Sequence, residues 1–368
     1  MKISIGSPIF TGPYGGGNLF VKNLSNFLHE KGHTVVHNLK DIDIDLILIT
    51  NPLMYSEASS FNHHDINYYL KFKNKNALVV HRVNECDERK GSKNVNSQIM
   101  QANGLSDFSI FVSTWLKNLF SKKGLDTSKS KVILAGSDEN IFFPKEVSTF
   151  LDNQRFKLVT HHWSGNWQKG FDIYKKIDDL LQYSEWNSIL EFTYIGNIPK
   201  SFEFKNSKLI APKNDLEIAK LLRTFDGYVT ASKNEPSGNH HIEAAQSGLP
   251  ILYLNSGGTP EYCYGFGLEF TENNFENKLS QFINSYEILF QNIKKYPLNA
   301  TVSNSEYLKL FESLYERRDE IISSRKKFSF IYIIYFYLIN RIKNSLFKIY
   351  IGTVEKFKRH AKHFKKFK

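Results

Sequence analysis

The stretch Asn234–Tyr262, NEPSGNHHIEAAQSGLPILYLNSGGTPEY, decides the reading of this 368-residue chain. Before it, FDGYVTAS (Phe225–Ser232) is a short β-branched and aromatic run suited to a buried strand. Ser237 or Asn239 is placed to cap a helix beginning near His240, and Gly248 followed by Pro250 stops it. ILYL (Ile251–Leu254) then reads as the next buried strand. Glu235 therefore belongs to the loop at a strand's carboxyl end, and Glu243 lies about one turn inside the helix, so both carboxylates can face one crevice.

The start of a helix presents unpaired N–H groups and the positive end of its dipole, which suits a phosphate. Gly238 lets a ligand approach the backbone closely. A carboxylate near that point accepts hydrogen bonds from vicinal hydroxyls, as the acidic residue of a dinucleotide fold does with a ribose. Two carboxylates with a phosphate site between them suit a ribose on one side and a sugar on the other, which describes a nucleotide-sugar.

The segment resembles the E-x7-E signature of retaining glycosyltransferases with the GT-B fold (glycosyl transferases group 1 type). Here that signature is Glu235 to Glu243, followed by the G-G-x-P-E element, Gly257 to Glu261. The resemblance implies two Rossmann-like, doubly wound α/β domains facing a cleft. It also implies metal-independent transfer of a sugar from a nucleotide-sugar to an acceptor hydroxyl with retention. Glu235 would position the donor sugar, Glu243 would bind the ribose diol, and Gly238, Asn239 and Gly258 would contact the donor. The nucleotide-sugar is a substrate, and no further cofactor is implied.

The rest of the chain agrees with this reading. In the first half, strand-like runs (KISIG, TVVHN, LILIT, ALVVHR, FSIFVS, KVILA) alternate with helical segments such as Leu19–His29, which argues for a parallel, doubly wound sheet. A looser stretch around Pro144 interrupts the alternation, and KLVTHHW, EFTYIGN, SKLIA, YVTAS and ILYL resume it. The expected units are 1–150 on the acceptor side, 151–324 binding the nucleotide-sugar, and a tail, 325–368. With 41% hydrophobic residues the chain can bury two cores. Two cysteines, Cys86 and Cys263, make no disulfide framework, so a reducing compartment is expected. The first residues lack the pattern of a signal peptide.

Three further stretches carry candidates. The glycine-rich loop GSPIFTGPYGGGN (Gly6–Asn18) is not G-x-G-x-x-G, but in the resembling family the corresponding loop lies over the donor phosphates, which points to Gly15, Gly16 and Gly17. VVHRVNECDERKG places His81, Arg82, Asn84, Glu85 and Asp87 at a strand end. His81 matches a family histidine that contacts the donor sugar, and Arg82 is able to hold an acidic acceptor group. In HHWSGNWQKGFDIY, Lys169 and Gly170 resemble the family's diphosphate-contacting Lys-Gly, whereas the arginine usual a few residues earlier is replaced by His161, His162 and Trp163. Neither the histidine pairs His63-His64, His161-His162 and His240-His241 nor Asp41–Asp45 (DIDID) has the spacing or placement of a metal site. Acyl-transfer motifs are absent.

The formal net charge of +11 is concentrated at one end. Residues 325–368 hold 13 Lys and Arg against Glu355, a net of +12, and leave the body at minus one. FSFIYIIYFYLI (Phe328–Ile339) is 12 residues, all but Ser329 apolar or aromatic, too short to span a bilayer, and lysines alternate with phenylalanines in KFKRHAKHFKKFK (Lys356–Lys368). The pattern predicts a peripheral anchor on an anionic membrane surface and a cytoplasmic protein at the inner face of the cell membrane. The alternative for Phe328–Tyr350 is a closing helix that crosses back onto the first domain. A lipid-linked saccharide in cell-envelope polysaccharide or glycolipid assembly would then be the favoured acceptor. A nucleic-acid partner is not expected, because the body offers no basic surface. Three rival functions use the same features: a sugar-nucleotide epimerase, a glycosidase, and a non-enzymatic membrane adaptor.

Overall fold

The computed structural model describes residues 1–10, 15–54, 56–148, 150, 154–325 and 329–364, with the side chains of 348, 352 and 354–364 outside the description. Part of the glycine-rich loop (residues 11–14), Phe328 and the side chains of Lys356–Lys368 therefore lie outside the described residues.

Strands β1 (Lys2–Ile5), β2 (Thr34–Val36), β3 (Leu46–Ile49), β4 (Leu78–Val83), β5 (Phe108–Phe111) and β6 (Ser130–Val132) form one sheet in the order β2-β1-β3-β4-β5-β6. Strands β7 (Phe156–His162), β8 (Leu190–Gly196), β9 (Lys208–Ile210), β10 (Gly227–Thr230), β11 (Ile251–Leu254) and β12 (Gly267–Phe270) form another, in the order β12-β11-β10-β7-β8-β9. Every pairing is parallel. Leu46–Ile49 and Ile251–Leu254 are buried at every position, as continuous apolar strands must be when helices cover both faces of a parallel sheet. Only β12 escaped the reading of the sequence. GLEF is an edge strand with just Phe270 fully buried, so it carries little apolar signal.

Strand order reverses once in each sheet, between β1 and β3 and between β7 and β10. Loops leaving the carboxyl ends of such a pair turn to opposite faces and open a crevice between them. In the second sheet the two loops are His161–Lys169 and Ser232–Gly238, the segments that carry Lys169 and Glu235.

The chain does not remain with the second sheet up to residue 324, which corrects the expected 151–324 unit. Helix Ala300–Glu316 buries Tyr307, Phe311 and Leu314 in the core of the first sheet, beside Ile3, Ile5 and Leu24. Its apolar stripe covers a sheet face that helix Gly16–Glu30 alone leaves open, and burial there outweighs proximity in sequence. Helix Phe330–Phe364 follows and rests on helix His63–Phe72 of the same sheet, which is the closing-helix arrangement.

Candidate active site

The sharp turn after β10 creates the site. Gly238 is the N-cap of helix Asn239–Gln246 at φ +78, a conformation disfavoured for L side chains, and a Cβ there would lie 2.5 Å from His241 Cε1. The cap expected from Ser237 or Asn239 does not form: the helix starts one residue earlier, with no side-chain cap, and Gly238, Asn239 and His240 line the crevice. Asn239 instead packs against the start of helix Gly16–Glu30, where a Cβ on Gly16 would lie 2.5 Å from its Cγ. Two helix amino termini, one beneath each sheet, thus converge on one point.

Glu235, 5% exposed, sits beside that point. Lys169 Nζ donates to its Oε2 at 2.5 Å, and Arg89 Nε approaches Oε1 at 3.4 Å. Lys169 is brought in by the 3-10 turn Trp167–Lys169, whose N-cap Asn166 accepts from the Gln168 N–H and which ends in the left-handed Gly170. Arg89 comes from the other sheet, on the single turn Asp87–Lys90 after β4, and also donates to Glu85 Oε2 at 3.1 Å. Burial would raise the Glu235 carboxyl, but Lys169 and Arg89 hold it down to about 2. Burial draws Lys169 below the ordinary lysine range, and the Glu235 carboxylate opposes that shift.

One turn along the helix, Glu243 Oε2 lies 2.8 Å from His161 Nε2. Glu235 and Glu243 line one cavity of about 320 Å³ together with Arg89, His161, Lys169 and the convergent glycines Gly16, Gly17 and Gly238, as well as Asn239. The neighbouring histidines are built into the support: His162 Nε2 meets the Tyr174 hydroxyl at 2.7 Å, His240 Nε2 meets Thr230 Oγ1 at 2.9 Å, and burial holds all of His162, His240 and His241 well below the usual imidazole range.

Two predicted residues fall elsewhere. His81 is fully buried, with Nδ1 3.4 Å from Asn103 Nδ2, and it lines a separate cavity of about 320 Å³ at the β1/β3 reversal. Gly15, Gly16, Gly17, Arg82, Asn84 and Glu85 line both cavities, so the two adjoin. Arg82 is fixed there, stacked 3.8 Å over the Phe20 ring with Nε donating to the Tyr307 hydroxyl at 3.1 Å. Gly258 does not line the cavity that holds Glu235 and Glu243. Its N–H donates to Glu235 O at 2.8 Å and it packs on Pro236 and Ser113, so it shapes the Glu235 loop from behind. Beyond it, Glu261 accepts the Thr114 and Trp115 N–H groups at 2.7 and 2.8 Å and caps a first-sheet helix across the cleft. The G-G-x-P-E element is therefore a joint between the two halves.

Arg89 is the residue that reading the sequence missed, though the same polar run named five of its neighbours. The available signal was a basic pair, Arg89-Lys90, one short turn after a strand end. Asp87 proves structural, accepting from the Val95 and Asn96 N–H groups at 2.9 and 3.0 Å. Asp41 and Asp43 both pair with Lys2 at 2.8 Å, as befits a strand entry.

No protein-family model and no curated protein matches the sequence. Solved structures match closely in shape at low identity. Anabaena Alr3699/HepE, in complex with UDP and glucose, is 15% identical with a TM-score of 0.62 over 85% of this chain and 99% of its own. Sucrose-phosphate synthase from Thermosynechococcus elongatus is 14% identical, TM-score 0.60, over 86% and 99%. The catalytic domain of starch synthase IV from Arabidopsis thaliana, bound to ADP and acarbose, is 12% identical, TM-score 0.61, over 86% and 99%. These neighbours are GT-B glycosyltransferases, and the chain has their fold: two parallel six-stranded α/β sheets about a cleft.

Proposed function

We propose that the chain is a retaining, metal-independent glycosyltransferase that moves a sugar from a nucleotide-sugar to a hydroxyl of a saccharide or lipid-linked saccharide. The observation that carries this reading is the convergence of Glu235, Glu243, Lys169 and Arg89 on the open amino terminus of helix Asn239–Gln246. In this reading Glu243 accepts the ribose hydroxyls and the helix terminus receives the diphosphate. Lys169 and Arg89 turn from Glu235 to the diphosphate when the donor enters. Glu235 is thereby released to hold the donor sugar. Two cations and a helix dipole supply the positive charge that a departing diphosphate needs, which supports chemistry without a divalent cation. The bond from the anomeric carbon to the diphosphate oxygen breaks as the acceptor oxygen bonds on the same face, and the departing phosphate takes the acceptor's proton.

Arg89 replaces, from the opposite half of the molecule, the arginine that the His161–Trp163 segment lacks. Binding of nucleoside diphosphates by calorimetry tests this assignment. Arg89→Ala should weaken nucleoside diphosphate binding while leaving binding of the free nucleoside unchanged. Equal diphosphate affinity in the variant would return Arg89 to a purely structural pairing with Glu235. An epimerase reading shares the cleft and is separated by product: it would change the donor sugar without any acceptor.

A further inference from the structure

Among its described side chains, helix Phe330–Phe364 turns one face to the fold and another to solvent. Ile333 and Asn340 are 5% and 2% exposed, Tyr337 stacks on Tyr68 with ring centroids 4.0 Å apart, and Phe336 stacks on His64 at 5.4 Å. Asn340 also receives a hydrogen bond from Asn62 Nδ2 at 2.9 Å, which ties the helix to the N-cap of His63–Phe72. The opposite face carries Ile331, Tyr335, Leu338, Ile342, Leu346 and Ile349, which are 53–79% exposed. At 100° per residue these six fall within a stripe about 80° wide. Exposed Arg341 and Lys343 stand roughly 100° to either side of its centre line.

We propose that this face lies in the plane of an anionic lipid bilayer, with the stripe at the acyl boundary and the flanking cations at the headgroups. A long apolar stripe in water marks an interaction surface. No helix among the described residues is long and apolar enough to cross a membrane, so an in-plane contact is the geometry left for this one. The charge selects the occupant. Residues 325–368 carry a net of +12 in a chain whose remainder is nearly neutral, which fits an anionic surface and opposes a second copy presenting the same tail. The face also bears on the acceptor. A cavity of about 590 Å³ lies between this helix and helix His63–Phe72, and Leu53 lines both it and the cavity at the β1/β3 reversal. Resting on the transferase reading, the cavity at the β1/β3 reversal would receive the acceptor, and Leu53 joins it to the space beneath this helix.

The test is co-sedimentation of the full-length protein with phosphatidylcholine vesicles, with and without phosphatidylglycerol. Binding should require the anionic lipid and weaken with salt. The triple variant Leu338→Glu, Ile342→Glu, Leu346→Glu should bind about tenfold or more weakly, and the double variant Arg341→Gln, Lys343→Gln by a smaller factor, with circular dichroism unchanged in both. Donor hydrolysis in detergent-free buffer should be unaltered in all of them, so a failed transferase reading and a failed membrane reading give different results. Wild-type protein that ignores anionic vesicles, or a triple variant that binds as well as wild type, would overturn the proposal. So would self-association, or binding to RNA, that the triple substitution abolishes while vesicle binding is absent.

Discussion

Around Gly238 a carboxylate and a lysine are buried with a partly exposed arginine beside them, while along the terminal helix six large apolar side chains stand in water. Each arrangement costs stability that an ordinary fold would avoid: buried charges lose hydration, and exposed aliphatic groups order water around themselves. The two costs are met differently. At the cleft the charges offset one another, so the site is held in tension until a ligand carrying negative charge offers the cations another partner. On the helix nothing among the described residues offsets the exposure, so a partner from outside is the expected cover. Local imbalance of either kind is where this molecule is expected to act.

Substitutions at the cleft should be the most severe. Glu235→Gln leaves Lys169 and Arg89 facing a neutral amide in a buried site. It should lower folding stability by about 3 kcal/mol and transfer by two orders of magnitude or so, read by urea unfolding and product assay. The stability difference should also depend on pH. Glu235 has its carboxyl lowered from 4.5 to about 2, so its contribution is complete above about pH 4.5 and is lost as pH falls through about 2. Wild type and Glu235→Gln should therefore converge in stability on acidification; a gap that persists at pH 2 would mean the ion pairs are not its source.

Gly238→Ala should cost about 1–3 kcal/mol, because the new methyl meets His241 and the backbone is held at positive φ, and it should blunt nucleotide binding as the helix terminus shifts. Glu243→Ala should weaken nucleoside diphosphate binding by about 1–3 kcal/mol with little effect on stability, since ribose hydroxyls lose their acceptor. A Glu243→Ala protein that binds as tightly as wild type would assign the ribose elsewhere. The smallest effect belongs to the terminal helix: Leu338→Glu alone should change stability by less than about 0.5 kcal/mol, since that side chain is 53% exposed.

The sequence disclosed what depends on local pattern. Eleven of the twelve strands among the described residues were legible as short apolar runs, and the Glu235–Glu243 spacing, on either side of a helix start, announced a shared crevice. What it hid depends on the path of the chain through space. Arg89 reaches Glu235 only because the cleft brings a turn after β4 against a loop after β10, 146 residues away, and nothing near Arg89 in sequence reports that neighbour. The return of Ala300–Glu316 to the first sheet was hidden for the same reason: its apolar periodicity shows that it is covered, not by what. Gly258 was misread in the other direction. Its motif was visible, but the glycine serves the backbone of Glu235 and stays out of the cavity.

Group transfer with retention at the anomeric carbon leaves its stereochemistry in the product, where proton NMR of the reaction mixture reads it. The wild-type protein, incubated with a panel of α-linked nucleotide-sugars and simple saccharide acceptors in the presence of EDTA, should release nucleoside diphosphate and form an α-linked product, and Glu235→Gln should do neither at a comparable rate. A β-linked product, release that requires a divalent cation, or cleavage of glycosides without any nucleotide would contradict the account.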